Sequence, residues 1–255
     1  QLADGDGNLR LRLVRQDGTE GLFDLETGFA NETGQLTAEL DVREARGGLI
    51  ATLARFPGAP SLTLSVSGDD PITDFLATLA LSTDEVQRLS GTVRLRETAG
   101  ASTGSTNDTE IQQVLEAQLG GDVTPLFIPQ YQAFFGKEVA LDLRAARSAD
   151  RGISVEALHL TAAALDLPGS VDLTPEFAPR LIDVTGAVAT PIGVPVVLPL
   201  PGPATLVNRA DIDVSFDASR GDALLVTANI NDFQRHDGIL VDTVTLRADG
   251  TLTLS

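Results

Sequence analysis

The sequence predicts an all-β chain: an elongated, curled antiparallel sheet with an aliphatic inner face and one short helical segment near 124–135. Three observations carry that expectation. Apolar residues fall on alternate positions from end to end, the pattern of strands with one apolar and one polar face. Clusters of Gly, Pro, Asp and Ser punctuate them at short intervals. No helical crossover separates one strand from the next, which favours antiparallel meanders over a parallel α/β sheet.

Taken in order, Leu9, Leu11 and Leu13 alternate with Arg10 and Arg12. Leu36, Ala38, Leu40 and Val42 alternate with Thr37, Glu39, Asp41 and Arg43, and Leu62, Leu64 and Val66 with Thr63 and Ser65. The same period returns in Phe75, Ala77, Leu79 and Leu81, then in Leu89, Gly91, Val93 and Leu95. It continues in Val139, Leu141 and Leu143, in Ile153 and Val155, in Ile212, Val214 and Phe216, in Val244 and Leu246, and in Leu252 and Leu254. Roughly fourteen strands fit this template. Turns are expected at QDGTEG, FPGAP, SGDDP, ASRGD and RADGT.

Helical signals are few. In DTEIQQVLEAQLGG, Ile111, Leu115 and Leu119 have helical spacing, yet Leu115, Ala117 and Leu119 also alternate with Glu116 and Gln118, so the residues leave helix and strand both open. Thr124 before Pro125, then Pro129 opening a turn that stops at Gly136, read as a short helix. The polar, aperiodic segment from Thr98 reads as a loop. The expected organisation is one continuous architecture: a sheet segment over 1–97, a flexible loop or junction over 98–110, and a second sheet segment over 111–255 carrying the helical insertion. The chain starts at Gln1 and ends in TLTLS within an apparent strand, which reads as a piece of a longer chain with severed edge strands.

Lys and Arg number 18 against 36 Asp and Glu, a net charge of −18, so phosphate backbones and anionic bilayers are on balance repelled and nucleic acid is not an expected partner. Arg10, Arg12 and Arg15 form a local exception. The chain has no Cys, which removes disulfides and thiolate chemistry together. Its most apolar stretch, PIGVPVVLPLPGP, is broken by five prolines and cannot be a spanning helix.

Residues for chemistry are sparse. His159 and His236 are the only imidazoles, neither at ligand spacing from a partner, and His159 falls on the polar side of a strand. Asp4, Asp6 and Asn8 match the first three ligand positions of a calcium loop, but Leu9 stands where that loop needs Gly and Arg15 where it needs Glu, so the stretch reads as a turn. Asp69 and Asp70 before Pro71 read as a hairpin turn. No nucleophile elbow, Walker loop or dinucleotide fingerprint occurs, so no catalytic residue, metal or cofactor is expected.

What remains is the apolar face. Its plain reading is a sandwich core. Two features point elsewhere: aromatics make up only 4% of residues, leaving a smooth lining of Leu, Val, Ile and Ala, and so many strands make an open sheet curl or split. A curled sheet encloses a groove. Phe127, Tyr131, Phe134 and Phe135 gather four of the eleven aromatics in one segment, read either as a helical turn packed on the sheet or as a lid or brace across the groove.

SGDDPITDFLATLALSTDEVQRLSGTV is similar to a pattern of the TamB family of the AsmA-like superfamily: a Gly-polar turn, an aromatic, alternating small and aliphatic residues, a Thr-Asp turn, then Arg-Leu-x-Gly. LGGDVTPLFIPQYQAFFG and LPLPGPATLVNRADIDVSFDASRGD resemble alphaproteobacterial members, in the same order along the chain. The resemblance implies an internal piece of a periplasmic protein, anchored in the inner membrane by parts outside this sequence, whose strands form a U-shaped β-trough, or β-taco. It implies phospholipid as cargo between inner and outer membrane, and a TamA/BamA-type outer-membrane insertase as a partner of segments not present here. It also makes VLEAQLGGD a strand and places the only helix after it. The expected groove lining is Leu36, Leu40, Leu62, Leu64, Val66, Phe75, Leu79, Leu81, Val93, Leu95, Val139, Leu141, Leu143, Ile212, Val214 and Phe216. The alternatives are a scaffold for outer-membrane protein assembly that conducts no lipid, and an extracellular adhesin or β-solenoid with a filled interior.

Overall fold

Alternation of this kind has one low-energy solution, strands that share an apolar face, and the chain adopts it. The structure, a computed structural model, describes residues 5–99, 111–147, 151–190, 193–220 and 223–251. Sixteen strands belong to one antiparallel sheet that does not close into a barrel. Contacts divide the chain into two units, Gln1–Ile128 and Pro129–Ser255.

The first unit runs β1 (Gly7–Val14), β2 (Gly21–Ala30), β3 (Gln35–Glu44), α1 (Leu49–Leu53), β4 (Leu62–Pro71), β5 (Asp74–Thr83), β6 (Val86–Ala99) and β7 (Ile111–Gly121), each strand paired to the one before it. A single-turn 3-10 helix, Thr124–Leu126, follows. The ambiguous segment over 111–121 is therefore a strand. The stretch expected as a junction joins two strands that pair with each other, Ala99 opposite Ile111; its residues 100–110 lie outside the described residues. The turn expected at SGDDP falls slightly later, because Gly68 to Pro71 still belong to β4 and the chain reverses at Ile72 and Thr73. Asp84 and Glu85, both with positive φ of 48° and 65°, make the tight turn between β5 and β6 that matches strand twist.

The second unit runs α2 (Pro129–Phe135), β8 (Val139–Arg147), β9 (Ile153–Ala162), β10 (Leu165–Leu173), β11 (Pro179–Ala189), β12 (Val196–Val197), β13 (Thr205–Val207), β14 (Arg209–Asp217), β15 (Ala223–Arg235) and β16 (Ile239–Thr251). β14 pairs with β11 directly. The Pro-rich stretch between them supplies β12, whose two residues pair with β13, and β13 in turn meets the far end of β15. Eleven strands in sequence order followed by β14, β15 and β16 make a path of fourteen, with the β12–β13 hairpin beside it.

The expectation of a single helix needs correction: α1 is a second one, and it was illegible because its cap is not local. Gly48 occupies the cap position without a side chain to offer, and the carboxylate of Glu44, at the end of β3, accepts from the N–H groups of Leu49 and Ile50 at 3.0 and 2.9 Å. That satisfies two of the helix's orphan donors from a strand residue.

Gly91 shows how tightly register is held. A Cβ at this position would lie 1.9 Å from the Gln118 carbonyl oxygen on β7, and one at Gly121 would lie 2.0 Å from the Arg88 carbonyl oxygen on β6. Two backbones approach here closer than any side chain permits. Gly91→Ala is expected to cost about 2–3 kcal/mol and to lower Tm by about 5–10 °C. Gly250→Ala, where an added Cβ meets nothing within 4 Å, is expected to leave Tm nearly unchanged; thermal unfolding followed by circular dichroism checks both.

Candidate functional site

Cross-strand register decides which side chains share a face. In the first unit, Phe23 stands opposite Val42, Val42 opposite Leu64, Leu64 opposite Leu81 and Leu81 opposite Leu89. The next row joins Leu25, Leu40, Val66, Leu79, Gly91 and Leu119. Near the other strand ends, Leu36 pairs with Phe29, while Phe75, Leu95 and Leu115 align, as do Ala77, Val93 and Ala117. Leu62 closes the face beside Thr83. The ten lining residues expected in this unit, from Leu36 to Leu95, thus lie on one face. To them the structure adds Leu115, Ala117 and Leu119, which the helix–strand ambiguity had concealed.

The second unit repeats the arrangement. Leu141 and Leu143 stand opposite Leu160 and Leu158, with Val139 two residues from Leu141 on the same side of β8. Ile212, Val214 and Phe216 stand opposite Gly186, Val184 and Ile182 on one side and Ala228, Val226 and Leu224 on the other.

The degree of burial separates this face from a sandwich core. On the aliphatic face of the first unit only Val42, Leu62, Ala77 and Ala117 are buried among the apolar side chains; Leu40, Leu64, Val66, Leu79 and Leu81 are half-buried, and Leu95 is 39% exposed. The only α-helix among the described residues of that unit, α1, has five residues. Among the described residues of the unit no second layer of secondary structure covers the seven strands. Some of the shielding comes from neighbours on the same face: Phe75 leans over Gly68, where a Cβ would lie 2.6 Å from the ring.

In the second unit the largest packed cluster lies at one end of the strands, while Phe216, one of the expected lining residues, and Ala228 are buried outside it. Phe134 of α2, Val196 of β12 and Val207 of β13 pack with Ala164 of the β9–β10 turn and with Val188 and Ala210 of the sheet, and Phe135, Leu165, Leu198, Ile230 and Phe233 lean against them. The Tyr131 hydroxyl donates to the Leu200 carbonyl oxygen at 3.2 Å. Three of the four residues expected as a lid or brace, Tyr131, Phe134 and Phe135, therefore join the helix to this packed end; Phe127 belongs to the first unit and is half-buried.

The opposite face is ionic. Arg94 donates to Asp74 at 2.6 and 2.5 Å, Arg96 to Glu116 at 3.0 Å, and Arg144 to Glu156 at 2.8 Å. His159 pairs with Asp166 at 2.7 Å. An open depression of about 450 Å³ on this face is lined by Glu26, Thr37, Glu39, Ser67 and Asp69 among others, an acidic lining unsuited to an acyl chain. Asp6 of the calcium-like opening accepts from the Asn31 N–H, and Asp4 lies outside the described residues. Among the described residues no group of three or more His, Asp or Glu is placed to hold a metal ion, and no helix is long and apolar enough to cross a membrane.

The class defined by these features is an open antiparallel sheet that in each unit has one aliphatic and one ionic face. Compared with protein-family models, with curated proteins and with solved structures, the chain matches none.

The hydrogen bonds from Arg94, with its positive charge, hold the Asp74 carboxyl below the usual carboxylate range. A depressed carboxylate stabilises the fold fully above its unfolded pKa and loses that contribution as pH falls through the folded value. The difference in denaturation midpoint between wild type and Asp74→Asn should stay constant from pH 7 to about pH 5 and close below about pH 4, as measured by urea unfolding across that range.

Proposed function

We infer that this chain is a segment of a lipid-conducting periplasmic bridge, its aliphatic face carrying the acyl chains of phospholipid. The observation that supports the reading is that most of the Leu, Val and Ile side chains in the aliphatic rows, such as Leu40, Leu64, Val66, Leu79 and Val214, stay only half-buried while kept in register, although Leu62 and Phe216 are buried. A core would consume that surface; a carrier needs it unfilled. The resemblance to the TamB family points the same way, and it places the insertase partner and the membrane anchor on parts of a longer chain outside this sequence.

Magnitudes explain why such a surface suits the task. Burial of a methylene is worth about 0.8 kcal/mol, so two acyl chains with roughly thirty methylenes lose on the order of 25 kcal/mol on entering water. A carrier must offset that loss continuously. Seven strands spaced at about 4.8 Å make rows about 29 Å long in the first unit, and the rows run across the strands, so a chain lying along them meets mostly Leu and Val, with Phe23 or Gly91 at single steps. Hydrogen-bonding groups along that path would hold a moving tail in place.

Photocrosslinking tests the reading. Crosslinkers at positions 64 and 79, on the aliphatic face, should give phospholipid adducts by mass spectrometry, whereas those at positions 63 and 78, on the ionic face, should give none. Protein adducts without lipid at 64 and 79 would instead favour the assembly scaffold.

A further inference from the structure

One charged side chain is drawn onto the aliphatic face. Between β5 and β6 the register shifts: Leu81 stands opposite Leu89, but Ser82 stands opposite Gln87, which leaves Arg88 as the extra residue of a bulge. The Arg88 Nε–H donates to the Thr83 hydroxyl at 2.8 Å. Thr83 is 2% exposed and pairs with Leu62, so it belongs to the aliphatic face at the α1 end of the strands. The bond carries the guanidinium to that side.

Arg88 combines partial burial with the lack of a carboxylate partner; Arg55, Arg147 and Arg151 also show no ion pair among the described residues, but all three are exposed. In a chain with 36 acidic residues, Arg46, Arg94, Arg96 and Arg209 each reach a carboxylate. Arg88 is half-buried and makes no ion pair among the described residues; its one polar partner is a neutral hydroxyl. The acid next to Thr83 is already engaged, because Asp84 receives Arg46 at 2.6 Å and the Ser61 N–H and hydroxyl at 3.2 Å. A half-desolvated cation is stabilised by an anion. With Nε fixed by Thr83, the remaining four N–H groups form a fork suited to two oxygens of a phosphate or carboxylate.

The geometry points to Arg88, oriented by Thr83, as a binding site for the oxyanion head of an amphiphile whose tail lies along the rows of Leu64, Leu81, Val66 and Leu79. The inference rests on the reading of this face as a lipid surface and adds where a head group is recognised and with what charge. The site stands at the last row before the turns, where a head meets solvent while the tail stays on the face. Thr83 is the positioning residue; Arg88 makes the contact.

Displacement of a fluorescent fatty amphiphile from the full chain, below micellar concentrations, tests this with monododecyl phosphate, dodecyl maltoside, dodecyltrimethylammonium and inorganic phosphate. Wild type should bind monododecyl phosphate about tenfold more tightly than dodecyl maltoside, the ratio expected of one charge-assisted fork. Arg88→Gln should bring that ratio to about one, and Arg88→Glu should shift preference to the ammonium amphiphile. Lys137→Gln, an equal change of charge in the other unit, should keep the wild-type ratio, and circular dichroism establishes that each variant is folded. An unchanged ratio in Arg88→Gln, or no preference in wild type alongside dodecyl maltoside binding, overturns the Arg88 site alone. Inorganic phosphate binding as tightly as monododecyl phosphate would make it a free-phosphate site and overturn the amphiphile. Failure of every amphiphile to bind wild type overturns the lipid reading as well.

Discussion

Cross-strand register is the constraint on which everything else in this chain depends. A strand's side chains alternate with period two, so a slip of one residue anywhere would exchange aliphatic and ionic faces from that strand onward. Long ladders fix it: ten consecutive pairs join β2 to β3, and ten more join β3 to β4. Where the ladder shifts, the shift is local and occupied. At the β5–β6 bulge the extra residue is Arg88, anchored to Thr83, and on the other side of β6 Gly91 and Gly121 let the backbones of β6 and β7 approach where no Cβ fits.

Held this way, the sheet separates its two surfaces by chemistry as well as by geometry. Arginines and carboxylates pair across neighbouring strands on one side, individually weak and screened but repeated. On the other side the aliphatic rows are only half-buried. Dense packing is found at strand ends, where Phe134, Val196 and Val207 close over Val188 and Ala210 and where the Glu44 carboxylate ties α1 to β3. Stability is therefore drawn from ladders and from packed ends, and among the described elements of each unit no second layer covers the middle of the aliphatic face. That division of labour is what a surface for a linear guest requires.

Much of this was legible from residues alone, because period-two alternation is a local signal and the strands carry it without interruption. The sixteen Leu, Val, Ile and Phe residues expected on the lining stand on the aliphatic face of their units for that reason. Other features were hidden because their cause is not local. The segment over 111–121 fits a helix and a strand equally until its pairing with β6 is seen. Helix α1 has no side-chain cap of its own, and no spacing rule reveals that Glu44 supplies one. β12 is two residues long inside a proline-rich stretch, held by β13 and packed against Phe134. Nor does the sequence reveal that Arg88 departs from its neighbours' alternation, since bulges are defined by two strands at once.

Methyl NMR with a lipid-soluble paramagnetic probe tests the central claim most directly. With 16-doxyl-stearate added to the isotopically labelled chain, the methyls of Leu40, Leu64, Val66, Leu79 and Val214 should broaden strongly, while those of Val188, Val196 and Val207, packed at the closed end, should not. Equal protection of both sets would contradict the account, because it would mean that the aliphatic rows are consumed by the protein's own packing and are closed to a guest.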